Sequence, residues 1–289
     1  MEEYIKLARF KHCIKNVFIL LPLFFGHKLF DAGAVLKCAL GFLAFTLLSS
    51  VIYIINDIND KESDRKHPKK RLRPIASGKI SVKSGIIYAC VLGFFAVICA
   101  CFACAKNPVS AVFLVVYFAL NCLYSFGLKN YPIVDVAILA SGFLLRVLFG
   151  ASVVEIEVSS WLYLTVLSLS FYLGLGKRRN ELKRQSDTSR KVLKYYSYEF
   201  LDKMMYMFMA IALVFYSLWC ADPLTVSEIS PNRLVWTVPV IILILMRYGY
   251  IVEGDSDGDP AEVVLHDKPL ILLGLFYAVL MTLLVYIKG

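Results

Sequence analysis

The chain has 289 residues, 59% of them hydrophobic and 18% charged, with 31 Lys and Arg against 22 Asp and Glu, a net charge of +9 and a mean hydropathy of +0.67. Soluble domains run at about 45–50% apolar and about 25% charged, and here the apolar excess extends over the whole length. That excludes an ordinary soluble enzyme, a disordered chain and a disulfide-rich secreted module, and leaves a polytopic membrane protein.

Apolar runs fall at 17–35, 38–56, 84–104, 109–126, 132–153, 161–176, 204–221, 234–252 and 269–287. At roughly 20 residues per helical crossing, these predict nine transmembrane helices. Pro22, Gly26, His27 and Lys28 interrupt the first run. Lys and Arg set the orientation. With the N-terminus in the cytoplasm, segments 1–15, 57–83, 127–131, 177–203 and 247–268 hold 25 of the 31 cations. Lys28, Lys37, Lys106, Arg233 and Lys288 fall on the opposite side, and Arg146 lies within a span. The reading is therefore N-in and C-out, in the cell membrane. No small-x-small cleavage site follows the first run, so no cleavable signal peptide is expected. Eight cysteines lie almost entirely within apolar stretches. Cys101 and Cys104 form a C-x-x-C without a second pair or a nearby His, so these residues read as small apolar side chains.

The second run ends in Asn56-Asp57-Ile58-Asn59-Asp60-Lys61-Glu62-Ser63-Asp64-Arg65, an N-D-x-x-D-x-x-x-D pattern. On a helix continuing from the span, Asp57, Asp60 and Asp64 come within about 60° of one another, with Glu62 on nearly the opposite side. Three carboxylates on one face repel, and Mg²⁺ relieves that repulsion while leaving coordination positions for substrate phosphates. Next comes His67-Pro68-Lys69-Lys70-Arg71-Leu72-Arg73-Pro74. Cations directly after an acidic cluster suit a diphosphate, with Arg forks matched to phosphate oxygens. By itself, such a run also fits anionic lipid.

On these residues the chain resembles the UbiA superfamily of intramembrane transferases. The resemblance implies one all-α domain over 1–289, a helical bundle around a central cavity open to the cytoplasmic face and to lipid. Loops 57–83 and 177–203 would form the polar half of its site. Members join a polyprenyl substrate to a polar one, with Mg²⁺ and a diphosphate leaving group.

Further stretches resemble the decaprenyl-phosphate phosphoribosyltransferase branch. They are Arg9-Phe10-Lys11-His12-Cys13-Ile14-Lys15-Asn16, Tyr124-Ser125-Phe126-Gly127-Leu128-Lys129 with Asp135 and Arg146, Gly176-Lys177-Arg178-Arg179-Asn180-Glu181, and Asp259-Pro260-Ala261-Glu262 with Asp267. This likeness implies transfer of a 5-phosphoribosyl group from phosphoribosyl pyrophosphate to a polyprenyl phosphate. Asp57, Asp60 and Asp64 would hold Mg²⁺ on the diphosphate, supported by Asn56. Lys70, Arg71, Arg73, Lys129, Lys177 and Arg178 would meet phosphates, with Glu181 alongside, and Lys15 and Asn16 the lipid phosphate. Tyr124, Lys129 and Asp135 gather at one turn and, with Arg146, are implied as substrate contacts. Arg146 lies on the face of Asp135, about 16 Å further along the helix, where an unpaired cation is costly.

Aromatic polyprenyltransferases of the superfamily, acting on 4-hydroxybenzoate or quinone precursors, carry a second Asp-rich motif where this chain has Lys177, Arg178 and Arg179. They are the second reading. A transporter is the third, and it is disfavoured because the charged groups gather at one face rather than at the midplane. Nucleic acid is not expected as a partner, and a homo-oligomer is compatible with the sequence.

Overall fold

The computed structural model describes residues 2–68, 70–183, 191–223, 225, 233–254, 263–264 and 266–286. Lys69 and the Asp259–Glu262 stretch lie outside the described residues. The described elements are all helical: α1 Glu2–Ala8, a 3₁₀ segment Phe10–Leu20, α2 Leu21–Phe25, α3 Ala32–Asn59, α4 Lys61–Lys66 and α5 Val82–Ala103. They continue with α6 Ser110–Phe126, α7 Val134–Val154, α8 Ser160–Lys183, α9 Tyr198–Ala221, α10 Val238–Glu253 and α11 Lys268–Tyr286.

Local chemistry starts these helices where the sequence has cap residues. Asp31 accepts from the backbone N–H groups of Gly33 (2.9 Å) and Ala34 (3.1 Å), and so opens α3. Those bonds, Ala34's foremost, hold the Asp31 carboxyl below its ordinary value. Ser81 opens α5 by accepting from Ser84 N–H at 3.0 Å, and Ser197 opens α9 by accepting from Phe200 N–H at 3.1 Å. Each satisfies an N–H with no partner inside its helix.

Among the described residues six helices are long and apolar enough to cross a membrane, and Cys13–Phe25 and Ser110–Phe126 are shorter apolar helices. The chain is a multi-pass membrane protein. The predicted first span, 17–35, is not one helix. A 3₁₀ segment runs into α2, α2 ends at Gly26, and His27 takes a left-handed φ of 55° before Asp31 starts α3. The interruption by Pro22, Gly26 and His27 accounts for the break, since helices break or turn at such residues.

The chain packs as two compact units, one from Met1–Ile138 with Leu145–Glu157, the other from Leu139–Leu144 and most of the chain after Val158. In the first, α3 is the central helix and packs against α5, α6, α1 and the 3₁₀ segment. Phe45, Tyr117, Phe149 and Ile19 form one apolar cluster, and Ile54, Ile75, Leu7 and Leu92 another. Gly150 is required where the chain crosses closest: a Cβ there would lie 2.1 Å from the Ile19 carbonyl oxygen. α5 presents Ile86, Phe94, Phe95, Val97 and Phe102 outward, an apolar face suited to lipid rather than water. In the second unit α8 packs along α9, and α10 packs against α9 and α11. Phe171 stacks on Phe208 with ring centres 4.8 Å apart.

Candidate functional site

In the first unit the acidic motif lies where α3 passes into α4. Asp60 caps this junction with φ −91° and ψ 6°, and the Asp64 N–H still reaches the Asp60 carbonyl at 2.8 Å. The helical path therefore continues through the motif. Asp57 is 2% exposed, and its Oδ1 accepts from both Arg9 Nη2 and Arg73 Nη1, the latter at 3.1 Å. Arg73 Nη1 also donates to Asp64 Oδ2 at 2.6 Å, so one guanidinium ties two of the three carboxylates together. Asp60 pairs separately with Lys129 Nζ at 2.6 Å. Glu62 points outward to Arg65 at 3.1 Å, on the side the helical spacing predicts.

Asp57 Oδ2 is shielded from solvent and has no hydrogen-bond partner. A carboxylate oxygen is rarely buried in this state without a further ligand to satisfy it. Among the described residues no three His, Cys, Asp or Glu side chains stand close enough to hold a metal by themselves. The arrangement fits Mg²⁺ all the same, because that ion binds through one or two carboxylates and takes its remaining oxygens from phosphates and water.

Around this core, Ser125 Oγ donates to Asn56 Oδ1 at 3.2 Å, and Asn59 Nδ2 donates to the Ser125 carbonyl at 2.7 Å. These bonds fix the end of α6, and with it the turn bearing Lys129, against the motif. Arg71 is exposed, Lys15, Lys70 and Tyr124 are partly exposed, and Asp135 is fully buried. Beside the site, Lys79 donates to Glu3 at 2.9 Å and holds that carboxyl below its ordinary value.

Asn16 and Arg146 form a different group. Arg146 Nε donates to Asn16 Oδ1 at 2.8 Å and its Nη2 to Tyr117 Oη at 2.9 Å, while the guanidinium lies 4.9 Å from the ring centres of both Phe45 and Tyr117. Asn16 Nδ2 donates to Thr46 Oγ1 at 2.9 Å. This is how a cation is accommodated in an apolar interior, by hydrogen-bond acceptors and ring faces.

In the second unit α8 ends in its own polar cluster. Arg178 pairs with Glu181 at 2.7 Å. Arg179 meets Asp202 at 2.7 Å and Glu253 at 2.6 Å, and it bonds and overlies Tyr198. Tyr206 Oη donates to Glu253 at 2.5 Å, and Asn180 Nδ2 donates to the Val252 carbonyl at 2.7 Å. α8, α9 and α10 are cross-linked here. Lys177 is partly exposed one residue before.

Sequence reasoning missed Arg9, Tyr53, Tyr117, Asp202 and Glu253. Arg9 takes a left-handed φ of 53° at the end of α1, stacks 5.1 Å from the Tyr53 ring centre and reaches Asp57 from 48 residues away. No local periodicity signals such a contact. An acidic residue that terminates a span, as Glu253 does, was the available hint for the second cluster.

The model of the UbiA prenyltransferase family matches residues 18–280. The chain is 35% identical to the decaprenyl-phosphate phosphoribosyltransferase of Corynebacterium glutamicum, over 98% of this chain and 86% of that protein. It is 32% identical to the enzyme of that name from Mycobacterium tuberculosis, over 94% of this chain and 90% of that one. Its fold resembles the structure of a UbiA homolog from Archaeoglobus fulgidus bound to DMAPP and Mg²⁺, with a TM-score of 0.73 and 19% identity over 97% of this chain and 96% of the other.

Proposed function

Since the chain belongs to the UbiA prenyltransferase family, we propose that it transfers a 5-phosphoribosyl group from phosphoribosyl pyrophosphate to a polyprenyl phosphate, with Mg²⁺, and releases diphosphate. The observation that carries this reading is the near-full-length identity to two decaprenyl-phosphate phosphoribosyltransferases. The basic run at 177–179 in place of a second Asp-rich motif, with Lys177 partly exposed, favours a phosphate-rich substrate pair over a prenyl diphosphate and an aromatic acid.

The acceptor phosphate is already anionic at pH 7, so no general base is needed. One of its oxygens attacks the anomeric carbon of the ribose as the bond from that carbon to the diphosphate breaks. Attack opposite the leaving group inverts the centre and gives a β-linked lipid from an α-configured donor. Catalysis then rests on holding anions together and stabilising the departing charge. Asp57 and Asp64, with Asp60, would hold Mg²⁺, which supplies positive charge to the leaving diphosphate when bound. Arg73, Arg71, Lys70 and Lys129 meet phosphate oxygens, while Asn56 and Asn59 keep the helix junction in register with Ser125. In the second unit, the partly exposed Lys177 is assigned to a substrate phosphate, while Arg178, buried on Glu181, supports the end of α8 beside it.

Purified membranes given radiolabelled phosphoribosyl pyrophosphate, Mg²⁺ and polyprenyl phosphate are expected to yield a labelled lipid on thin-layer chromatography, and none with EDTA. Prenylation of 4-hydroxybenzoate from a prenyl diphosphate, with phosphoribosyl pyrophosphate ignored, would overturn the branch and leave the family intact.

The cation distribution supports a cytoplasmic N-terminus and cytoplasmic loops at 57–83 and 177–203 in a cell-membrane protein. Reporter fusions after residues 83 and 200 are expected to read cytoplasmic, and a C-terminal fusion external. With residue 200 cytoplasmic, a cytoplasmic C-terminus would show that one of the last three apolar runs does not cross, and with residue 83 cytoplasmic an external N-terminus would show that the first run, with Cys13–Phe25, does not; either result would remove one span from the nine.

A further inference from the structure

Among the described residues, three cations pair with the aspartates of the acidic motif, and they are held differently. Lys129 belongs to Asp60. The side chain of Arg9 is 19% exposed, and it is fixed both by Asp57 and by the face of Tyr53. Arg73 is 26% exposed and donates through a single nitrogen, Nη1, to Asp57 at 3.1 Å and to Asp64 at 2.6 Å. Both cations on Asp57 use Oδ1, and Oδ2 stays shielded and unbonded. A metal ion therefore reaches the buried carboxylate oxygens only after a neighbouring group moves. Arg73 is the more exposed of the two arginines on Asp57, and it lies between the same two carboxylates that the ion needs.

We propose that Arg73 is an exchangeable cation: it neutralises Asp57 and Asp64 until a divalent ion takes them, then turns its guanidinium to a phosphate of the donor. This deepens the transferase reading and rests on it. The consequence is linkage. An ion arriving alone must compete with Arg73 and leave that guanidinium without an anion. An ion arriving with a diphosphate gives the displaced Arg73 new acceptors, to which its planar fork is well matched. Metal and donor then bind as a coupled pair, and the coupling is reciprocal. A residue that served simply as a phosphate ligand would not affect metal binding in the absence of donor.

The test is the affinity of the purified full-length protein for Mn²⁺, read from the free-ion electron paramagnetic resonance signal, with and without phosphoribosyl pyrophosphate. In the wild type the donor is expected to tighten Mn²⁺ binding by about tenfold or more. Arg73→Gln is expected to bind Mn²⁺ about tenfold more tightly without donor, and to lose most of the donor's effect, down to about twofold. Arg65→Gln removes the same charge from the outer side of the motif, where Arg65 meets Glu62 and the Ala76 carbonyl. It is expected to bind Mn²⁺ within about twofold of the wild type. Arg73→Gln binding Mn²⁺ no more tightly than Arg65→Gln, or an undiminished donor effect in Arg73→Gln, overturns the proposal. Should Arg73→Gln fail to fold, Arg73→Lys keeps the charge but loses the fork; a rise of about threefold without donor supports the exchange, and an unchanged affinity overturns it. Geranyl diphosphate serves as the second donor. Tightening by it and not by phosphoribosyl pyrophosphate, abolished in Arg73→Gln, would support the exchange while refuting the donor assigned above.

Discussion

Asp57→Asn is expected to lower turnover with phosphoribosyl pyrophosphate by about a thousandfold or more, equivalent to roughly 4 kcal/mol of transition-state stabilisation. The substitution keeps the shape of the side chain and removes its charge. An amide at this position either turns an NH₂ group toward Arg9 and Arg73, or places it at the buried Oδ2 position that has no hydrogen-bond partner in the native protein. In the first case the two guanidiniums face a donor, in the second they share a neutral amide oxygen, and in both one ligand oxygen and the negative charge are lost. Glu62→Ala is the control. Glu62 is 75% exposed and pairs outward with Arg65, and an exposed pair of this kind is worth little, so its turnover should stay within about twofold. Initial rates at saturating Mg²⁺, with melting temperatures recorded in parallel, separate loss of chemistry from loss of fold. Retention of a tenth of wild-type turnover by Asp57→Asn, or an equal loss in Glu62→Ala, would remove Asp57 from the reacting site.

What could be read from the sequence divides along the range of the interactions. The helical spacing of Asp57, Asp60 and Asp64, with Glu62 turned away, is a property of the local chain, and the structure keeps Asp57 and Asp64 on a common partner. Seven of the other apolar runs fall on α3, α5, α6, α7, α9, α10 and α11, with α3 and α9 extending beyond theirs, because apolar length specifies where a helix can span. The run at 161–176 is a shorter part of α8, which carries on through its charged end to Lys183. The first run, expected as one helix, is broken, because mean apolarity does not register the left-handed His27. Partners from distant segments were not legible. Arg9 on Asp57, Tyr117 on Arg146 and Glu253 on Arg179 join positions 48, 29 and 74 residues apart. The Asp60 assignment lies between these cases: its direction follows from helical spacing, but its pairing with Lys129 depends on how the end of α6 packs.

The same distinction decides what the cations at the end of α8 do, and it predicts that adjacent residues behave differently. Phosphoribosyl pyrophosphate and a lipid phosphate bring about five or six negative charges, of which one or two Mg²⁺ ions offset two to four. Protein cations must make up the remainder, and by sequence Lys177, Arg178 and Arg179 contribute equally. In the structure Arg179 is 1% exposed and its charge is already matched by Asp202 and Glu253, with Tyr206 donating to the same Glu253 oxygen. Arg179→Gln leaves those two carboxylates without their cation. Breaking a fully buried pair costs about 3–5 kcal/mol, but the side chains of Asp202 and Glu253 are 32% and 43% exposed, so water recovers part of this. A loss of about 1–2 kcal/mol is expected, seen as a fall of roughly 2–4 °C in melting temperature. The folded fraction should keep a KM for phosphoribosyl pyrophosphate within about twofold of the wild type, since Arg179 is spent on structure. Lys177→Ala is expected to show the reverse, an unchanged melting temperature and a KM for phosphoribosyl pyrophosphate raised about tenfold. A Lys177→Ala protein that melts early with an unchanged KM, or an Arg179→Gln protein that stays stable with a raised KM, would exchange the two roles and make Arg179 the phosphate ligand.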